Sequence, residues 1–338
     1  MMDEELSLVG FTEDMNLNAV FFGFLGLFQM VFPGRLQACY LLGSHATSEA
    51  VGESDIDLTL VFKGRFQPGE RRRFEHFRRH VSPLSPLSLD ANAVEEEQLL
   101  EEGAVNLKKT SLLLMGEDLR ERIPLMPLDA WIRYCMHRPY VFMERARARA
   151  EGEPLRFPLI YPDPRGELYG YDHREVLDAQ GQSHRGFKEL VTLACRLATA
   201  EVAVKAGGYT YSKREAIEAH RELVNDAWTP LYEQIYAARK RWGYRVPEAA
   251  EDVAHLRSLC AGMLEAENHF LGLYKGFLLE ELRRGAVKDR VLAAQRLGEI
   301  AYPGDEVPAA LRALAQAPEE ELREAAAESL RRLGPSGT

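Results

Sequence analysis

Leu41-Leu42-Gly43-Ser44, followed after ten residues by Asp55-Ile56-Asp57-Leu58, is the stretch whose reading decides the fold. Residues 55–62 alternate: Asp55, Asp57, Thr59 and Val61 fall on one face, Ile56, Leu58, Leu60 and Phe62 on the other. A period of two predicts a strand and puts both carboxylates on the same side of it. Upstream, the apolar run Leu36 to Leu42 predicts a second strand, stopped by Gly43-Ser44. Two carboxylates side by side repel each other in an apolar setting, so the pair calls for a cation between them. Oxygen-only ligands with room for water and phosphate suit Mg²⁺. Gly43, lacking a side chain, lets a phosphate approach the backbone. Ser44 adds a hydroxyl and an N–H at the start of a short helix expected over 44–51. A phosphate-holding turn then lies beside a metal-holding strand, as a nucleoside triphosphate with bridging Mg²⁺ requires.

Working outward, the apolar run from Asn18 to Phe32 predicts a buried first helix. It is too short to span a bilayer comfortably, and Asp3, Glu4, Glu5, Glu13 and Asp14 before it carry the wrong sign for a signal peptide. Further elements are a helix over 67–80, a third strand over 86–94 and a helix over 95–102. Helices are expected at 186–206, 213–226, 228–243 and 249–284, packed as an antiparallel bundle. Between them, residues 151–173 carry four prolines and predict a long loop. Near the end, 290–297 and 323–330 superimpose at an offset of 33, with a helix over 307–316 between them. This is either a HEAT-like pattern, which would need to dock on the bundle or on a partner protein, or a C-terminal helical cap rich in Ala and Leu. The fold class is therefore α+β: a mixed-sheet domain over 1–125, a helical bundle over 126–284 and a helical-repeat tail over 285–338.

The chain has 338 residues and a formal charge of -10, with 46% hydrophobic and 28% charged residues. That balance describes a globular protein, and the acidic excess argues against a nucleic-acid partner. Arg65, Arg71, Arg72, Arg73, Arg78 and Arg79 alternate with Phe74 and Phe77, which reads as a solvated helix face over an apolar one. The four cysteines, Cys39, Cys135, Cys195 and Cys260, show no metal-ligand spacing and read as buried thiols in a reducing cytoplasm. His173, His184 and His220 likewise have no ligand-like spacing.

The segment 41–58 resembles the signature of the nucleotidyltransferase superfamily that includes DNA polymerase beta and the aminoglycoside nucleotidyltransferases. Proteins of that kind carry a third carboxylate on a neighbouring strand between apolar residues, and Leu87-Ser88-Leu89-Asp90-Ala91 supplies the matching position. The resemblance implies that Asp90 completes the metal site with Asp55 and Asp57, or deprotonates the acceptor hydroxyl. Residues 112–124 resemble the Gly-x-Asp-Leu segment that closes the catalytic domain of the antibiotic adenylyltransferases; Asp118 within it reads as a helix cap. Lys205 to Ala216 resembles their Gly-x-x-x-Ser-Lys-x-Glu-Ala motif, which implies a phosphate contact for Lys213. The local alternative is a capping box of Ser212 and Glu215 beside a solvated lysine.

Together these readings predict a Mg²⁺-dependent enzyme that transfers AMP from ATP to a hydroxyl of a small molecule, with an aminosugar-like acceptor. Gly43, Ser44 and Lys213 would hold the nucleotide; Asp55, Asp57 and Asp90 would hold the metal and perform the chemistry. Two alternatives stay open: an enzyme of the same kind acting on a protein or an RNA end, and a non-catalytic partner-binding protein with a vestigial site.

Overall fold

Strands β1 (Leu36–Leu42), β2 (Ile56–Phe62), β3 (Leu89–Glu95) and β4 (Leu112–Gly116) make one mixed sheet in the order β3-β2-β1-β4. β1 runs antiparallel to β2 and β4, while β3 runs parallel to β2. The register sets Leu42 opposite Asp57, and Asp57 opposite Asp90. Paired residues on neighbouring strands share a face, so Asp57 and Asp90 project to the same side. The structure, a computed structural model, describes residues 8–85, 87–147 and 150–334. Asp3, Glu4, Glu5 and Pro86, the first residue of the expected third strand, lie outside the described residues.

Helices α1 (Met15–Val31), α2 (Gly43–Ala46), α3 (Glu70–Val81), α4 (Glu96–Glu102) and α5 (Val105–Thr110) fill the connections. Asp14 caps α1, its carboxylate accepting from the N–H groups of Asn16 and Leu17. α1 and α3 cover one face of the sheet, where Phe21, Phe28 and Phe74 pack with Ile56, Leu58, Leu60 and Phe62. Phe28 meets Phe74 and Phe77 at centroid distances of 5.4 and 5.1 Å. Each such buried side chain contributes about 1.5–3 kcal/mol, enough to hold the arginine-rich α3 in place. Its arginines find local partners: Arg78 pairs with Glu75 at 2.8 Å, while Arg71 and Arg73 lie over the rings of Phe66 and Phe32. The other face is covered by Leu99, Leu107, Leu119 and Ile123 against Ala38, Tyr40 and Val61. Asp57, at the start of β2, belongs to neither core.

Two local expectations need correction. The helix expected over 44–51 is the single turn α2, followed by Ser48 at φ +56. Asp118 caps no helix; it accepts from the N–H of Arg120 at 3.1 Å and pairs with that residue's guanidinium at 2.6 Å.

Within α6 (Leu128–Arg145) the chain passes from one of two compact units to the other. One comprises the residues up to Tyr134 together with Arg174–Glu248, the other Cys135–His173 together with the residues from Ala249 on. Helices α7 (Lys188–Ala206), α8 (Lys213–Ala219) and α9 (Thr229–Trp242) therefore group with the sheet rather than with the later helices. Ion pairs Lys188–Asp55 and Arg245–Glu53 tie this segment to the β1–β2 connection. The helix expected to run on to 226 changes to a π-turn at His220–Val224. There the buried His220 ring meets Glu201 at 3.1 Å and the Thr229 hydroxyl at 3.0 Å.

In the second unit, α10 (Ala250–Arg284) is followed by α11 (Val287–Gly298), α12 (Glu306–Leu314) and α13 (Glu320–Leu333). The proline-rich segment is anchored in its own unit. Leu155–Arg156 pairs with Ile300–Ala301, and the buried Glu267 carboxylate accepts from Arg147 and from the Tyr171 hydroxyl, each at 2.6 Å. All four cysteines are buried. No helix among the described residues is long and apolar enough to cross a membrane.

Candidate active site

Gly43 follows β1 directly and has φ +67, a left-handed conformation that disfavours any residue with a Cβ. A Cβ built there would collide with Oδ2 of Asp57, so the carboxylate lies directly against the turn. Ser44 beside it is buried. The carbonyl of Gly43 accepts from the N–H and the hydroxyl of Thr47, at 3.2 and 3.3 Å, which closes the single turn of α2. One turn carries little macrodipole, so the helix-end field expected at Ser44 contributes little, and the steric opening at Gly43 is the larger effect.

Asp55 precedes β2, and its Oδ2 forms an ion pair with Nζ of Lys188 at 2.9 Å. Burial alone would raise the Asp55 carboxyl, but Lys188, by charge and hydrogen bond, and Lys213 bring it below the usual carboxylate range. Asp57 goes the other way. Burial and the neighbouring Asp55 charge push it up to about 7 against the pull of Lys213 and Lys188, with Asp90 adding repulsion. Burial raises both carboxyls, and the close pairing with Lys188 is what takes Asp55 in the opposite direction from Asp57. Asp90 sits between the buried Leu89 and Ala91, exposed and paired with Arg78 at 3.1 Å.

Lys213 opens α8. Ser212 caps that helix by accepting from the N–H of Glu215 at 3.2 Å, and Glu215 in turn accepts from the N–H of Tyr211 at 2.7 Å. The capping reading holds for Ser212, but Lys213 is not simply solvated. It is half-buried, its ammonium 5.9 Å from the centre of the Tyr244 ring. Burial would lower its pKa, and Tyr244, Cys195 and Asp55 outweigh that and raise it.

Tyr244 gathers further cations. Lys188 lies 5.2 Å and Arg239 5.3 Å from its ring centre, and Arg239 Nε donates to its hydroxyl at 2.9 Å. The ring is positioned by the buried carboxylate of Glu53, which accepts from the Tyr244 N–H at 3.1 Å and pairs with Arg245. Gly243, at φ +63, would clash with Glu53 if it carried a Cβ.

The fold thus brings Gly43, Asp55 and Asp57 together, sets Asp90 opposite Asp57, and places Lys213 within electrostatic reach of both Asp55 and Asp57. Sequence reasoning missed Lys188, Glu53, Arg239 and Tyr244. Lys188 left a trace: it stands three and seven residues before the buried Val191 and Cys195, a charge on the apolar stripe of its helix. The donor set fits a hard divalent cation. Asp55 and Asp57 offer oxygen alone, and a cation would relieve the mutual repulsion that raises Asp57.

No protein-family model matches the chain, and no curated protein matches it. Among solved structures it is similar to a crystal structure of spectinomycin adenyltransferase AAD(9) from Enterococcus faecialis with ATP and spectinomycin. The TM-score is 0.43 and the identity 14%, over 75% of this chain and 100% of that one.

Proposed function

We propose that the protein is a metal-dependent nucleotidyltransferase that moves AMP from ATP to a hydroxyl of a small molecule. The observation that carries this reading is the packing of the Asp57 carboxylate against the side-chain-free turn at Gly43, with Asp90 in register beside it. Mg²⁺ held by Asp55 and Asp57 would neutralise charge on the triphosphate and on the departing pyrophosphate. Gly43 and Ser44 cradle phosphate oxygens, and Lys213 supplies positive charge to them. Asp90, exposed and held by Arg78, receives the proton of the acceptor hydroxyl at its carboxylate as that oxygen attacks the α-phosphorus.

We read the later helices as an antiparallel bundle ending in a HEAT-like tail, a docking element for a protein partner. What supports this is that 290–297 and 323–330 fall within α11 and α13, which pack on each other.

The test is incubation with ATP labelled at the α-phosphate and panels of aminoglycosides, proteins and tRNA. Label should enter a small molecule with wild type and not with Asp55→Asn or Asp57→Asn. Label in tRNA or protein alone would overturn the small-molecule acceptor, and no Asp57-dependent transfer or ATP binding would overturn the enzyme reading.

A further inference from the structure

We propose that Lys188 is a positioning residue that serves as the internal counter-cation of the carboxylate site. It holds Asp55 while no metal ion is bound, then yields that carboxylate to the metal and turns its own charge toward the triphosphate. The inference rests on the transferase reading and names a residue outside the motifs that suggested it.

Lys188 is almost fully buried, with a side chain 7% exposed, and Asp55 is its ion-pair partner. A buried ammonium needs an anion, so the pair satisfies both groups. A divalent cation that takes Oδ2 of Asp55, the oxygen Lys188 engages, changes this, because two like charges on one oxygen in a poorly solvated place repel each other strongly. The second neighbour of Lys188 shows where its charge can remain. The Tyr244 ring holds Lys188, Lys213 and Arg239 within 5.2, 5.9 and 5.3 Å of its centre, and it attracts cations whether or not Asp55 is engaged. Lys188 and Lys213 beside one ring, once Asp55 is taken by a metal, present positive charge to a triphosphate, while the buried Arg239 holds the ring through its hydroxyl. Metal and nucleotide should therefore bind cooperatively, with Lys188 as the coupling element.

The test uses Mn²⁺ alone, followed by electron paramagnetic resonance, on wild type, Lys188→Met, Lys188→Arg and Asp55→Asn. Freed of its competitor, Lys188→Met should bind Mn²⁺ about 5–10-fold more tightly, a coupling of ordinary size. Lys188→Arg should stay near wild type, and Asp55→Asn should bind more weakly. Mn²⁺ binding that depends on Asp55 but is unchanged or weakened in Lys188→Met overturns the counter-cation role and leaves the transferase reading standing. No Mn²⁺ binding in wild type or Lys188→Met overturns the role together with the metal-dependent reading.

A second measurement needs no variant. Labelling by acetic anhydride, read by mass spectrometry, should show Lys188 protected in the empty protein, several-fold more reactive with Mg²⁺ alone, and protected again with Mg²⁺ and ATP. Reactivity that ignores Mg²⁺, in protein that still binds Mg-ATP through Asp57, overturns the proposal alone.

Discussion

The carboxylate of Asp57 occupies the space into which a side chain at Gly43 would project. The close approach of strand and turn is therefore a condition of the site, and it gives a sharp substitution. Gly43→Ala must either push Asp57 away or distort the turn, in addition to the cost of roughly 1–2 kcal/mol for a left-handed non-glycine residue. We expect a stability loss of about that size by urea denaturation, with nucleotide transfer reduced at least about 100-fold, the scale of losing one aligned group. Full activity in Gly43→Ala would show that the turn and Asp57 do not act together.

Asp55 and Asp57 should respond oppositely to neutralisation. Asp57 is pushed up to about 7 by burial and by Asp55, so its ionised form is disfavoured in the metal-free fold near neutral pH. Asp57→Asn removes that repulsion and should raise the melting temperature in EDTA while abolishing transfer. Asp55→Asn strands the Lys188 ammonium, and should cost about 1–3 kcal/mol. That is below the roughly 3–5 kcal/mol for breaking a fully buried pair, because Asp55 keeps some contact with solvent. Equal destabilisation by the two substitutions would contradict the assignment of Lys188 to Asp55.

Much of this arrangement was legible in the chain because it depends on short-range pattern. The alternation over 55–62 places Asp57 on the face of β2 opposite Ile56 and Leu58, and apolar neighbours on either side of Asp90 place it likewise on β3. What periodicity cannot supply is register across a sheet or contact across more than a hundred residues. The pairing of Asp57 with Asp90 depends on how β3 lies along β2, and the Lys188–Asp55 ion pair joins residues with no local relationship. The helix expected over 44–51 fails for a different reason. Its C-terminal half is drawn into a polar connection where Ser54 accepts from the N–H of Val51 at 2.9 Å, and Glu53 reaches Tyr244 and Arg245.

Glu53 should behave as a latch on the Tyr244 ring. Its carboxylate receives the Tyr244 N–H and the Arg245 guanidinium, and Gly243 leaves room for it. Glu53→Ala leaves a buried N–H unsatisfied, at about 1–3 kcal/mol, and releases the ring from the lysines. The expected result is weaker ATP binding by calorimetry with little change in acceptor KM. A variant that loses stability but binds ATP as wild type does would separate the latch from the site.

The ion pair of Glu70 with Arg35 gives a prediction in pH. Glu70 opens α3 and Arg35 precedes β1, so the pair ties the basic helix to the sheet. Arg35 donates from two nitrogens, at 2.8 and 3.0 Å, and the Gln67 N–H donates to the same carboxylate at 2.9 Å. The Arg35 hydrogen bond dominates over burial, and it holds Glu70 below its ordinary value of 4.5. A depressed folded-state pKa means that the contribution is complete above the unfolded value and disappears as pH falls through the folded one. Glu70→Gln should therefore lose about 1.5–3 kcal/mol at pH 7, the range for a charge-assisted hydrogen bond. The gap to wild type should shrink steadily as the pH falls below about 4.5. Urea denaturation of both proteins across this range measures the gap directly, and a gap that does not change with pH would assign the loss to packing instead of to the ion pair.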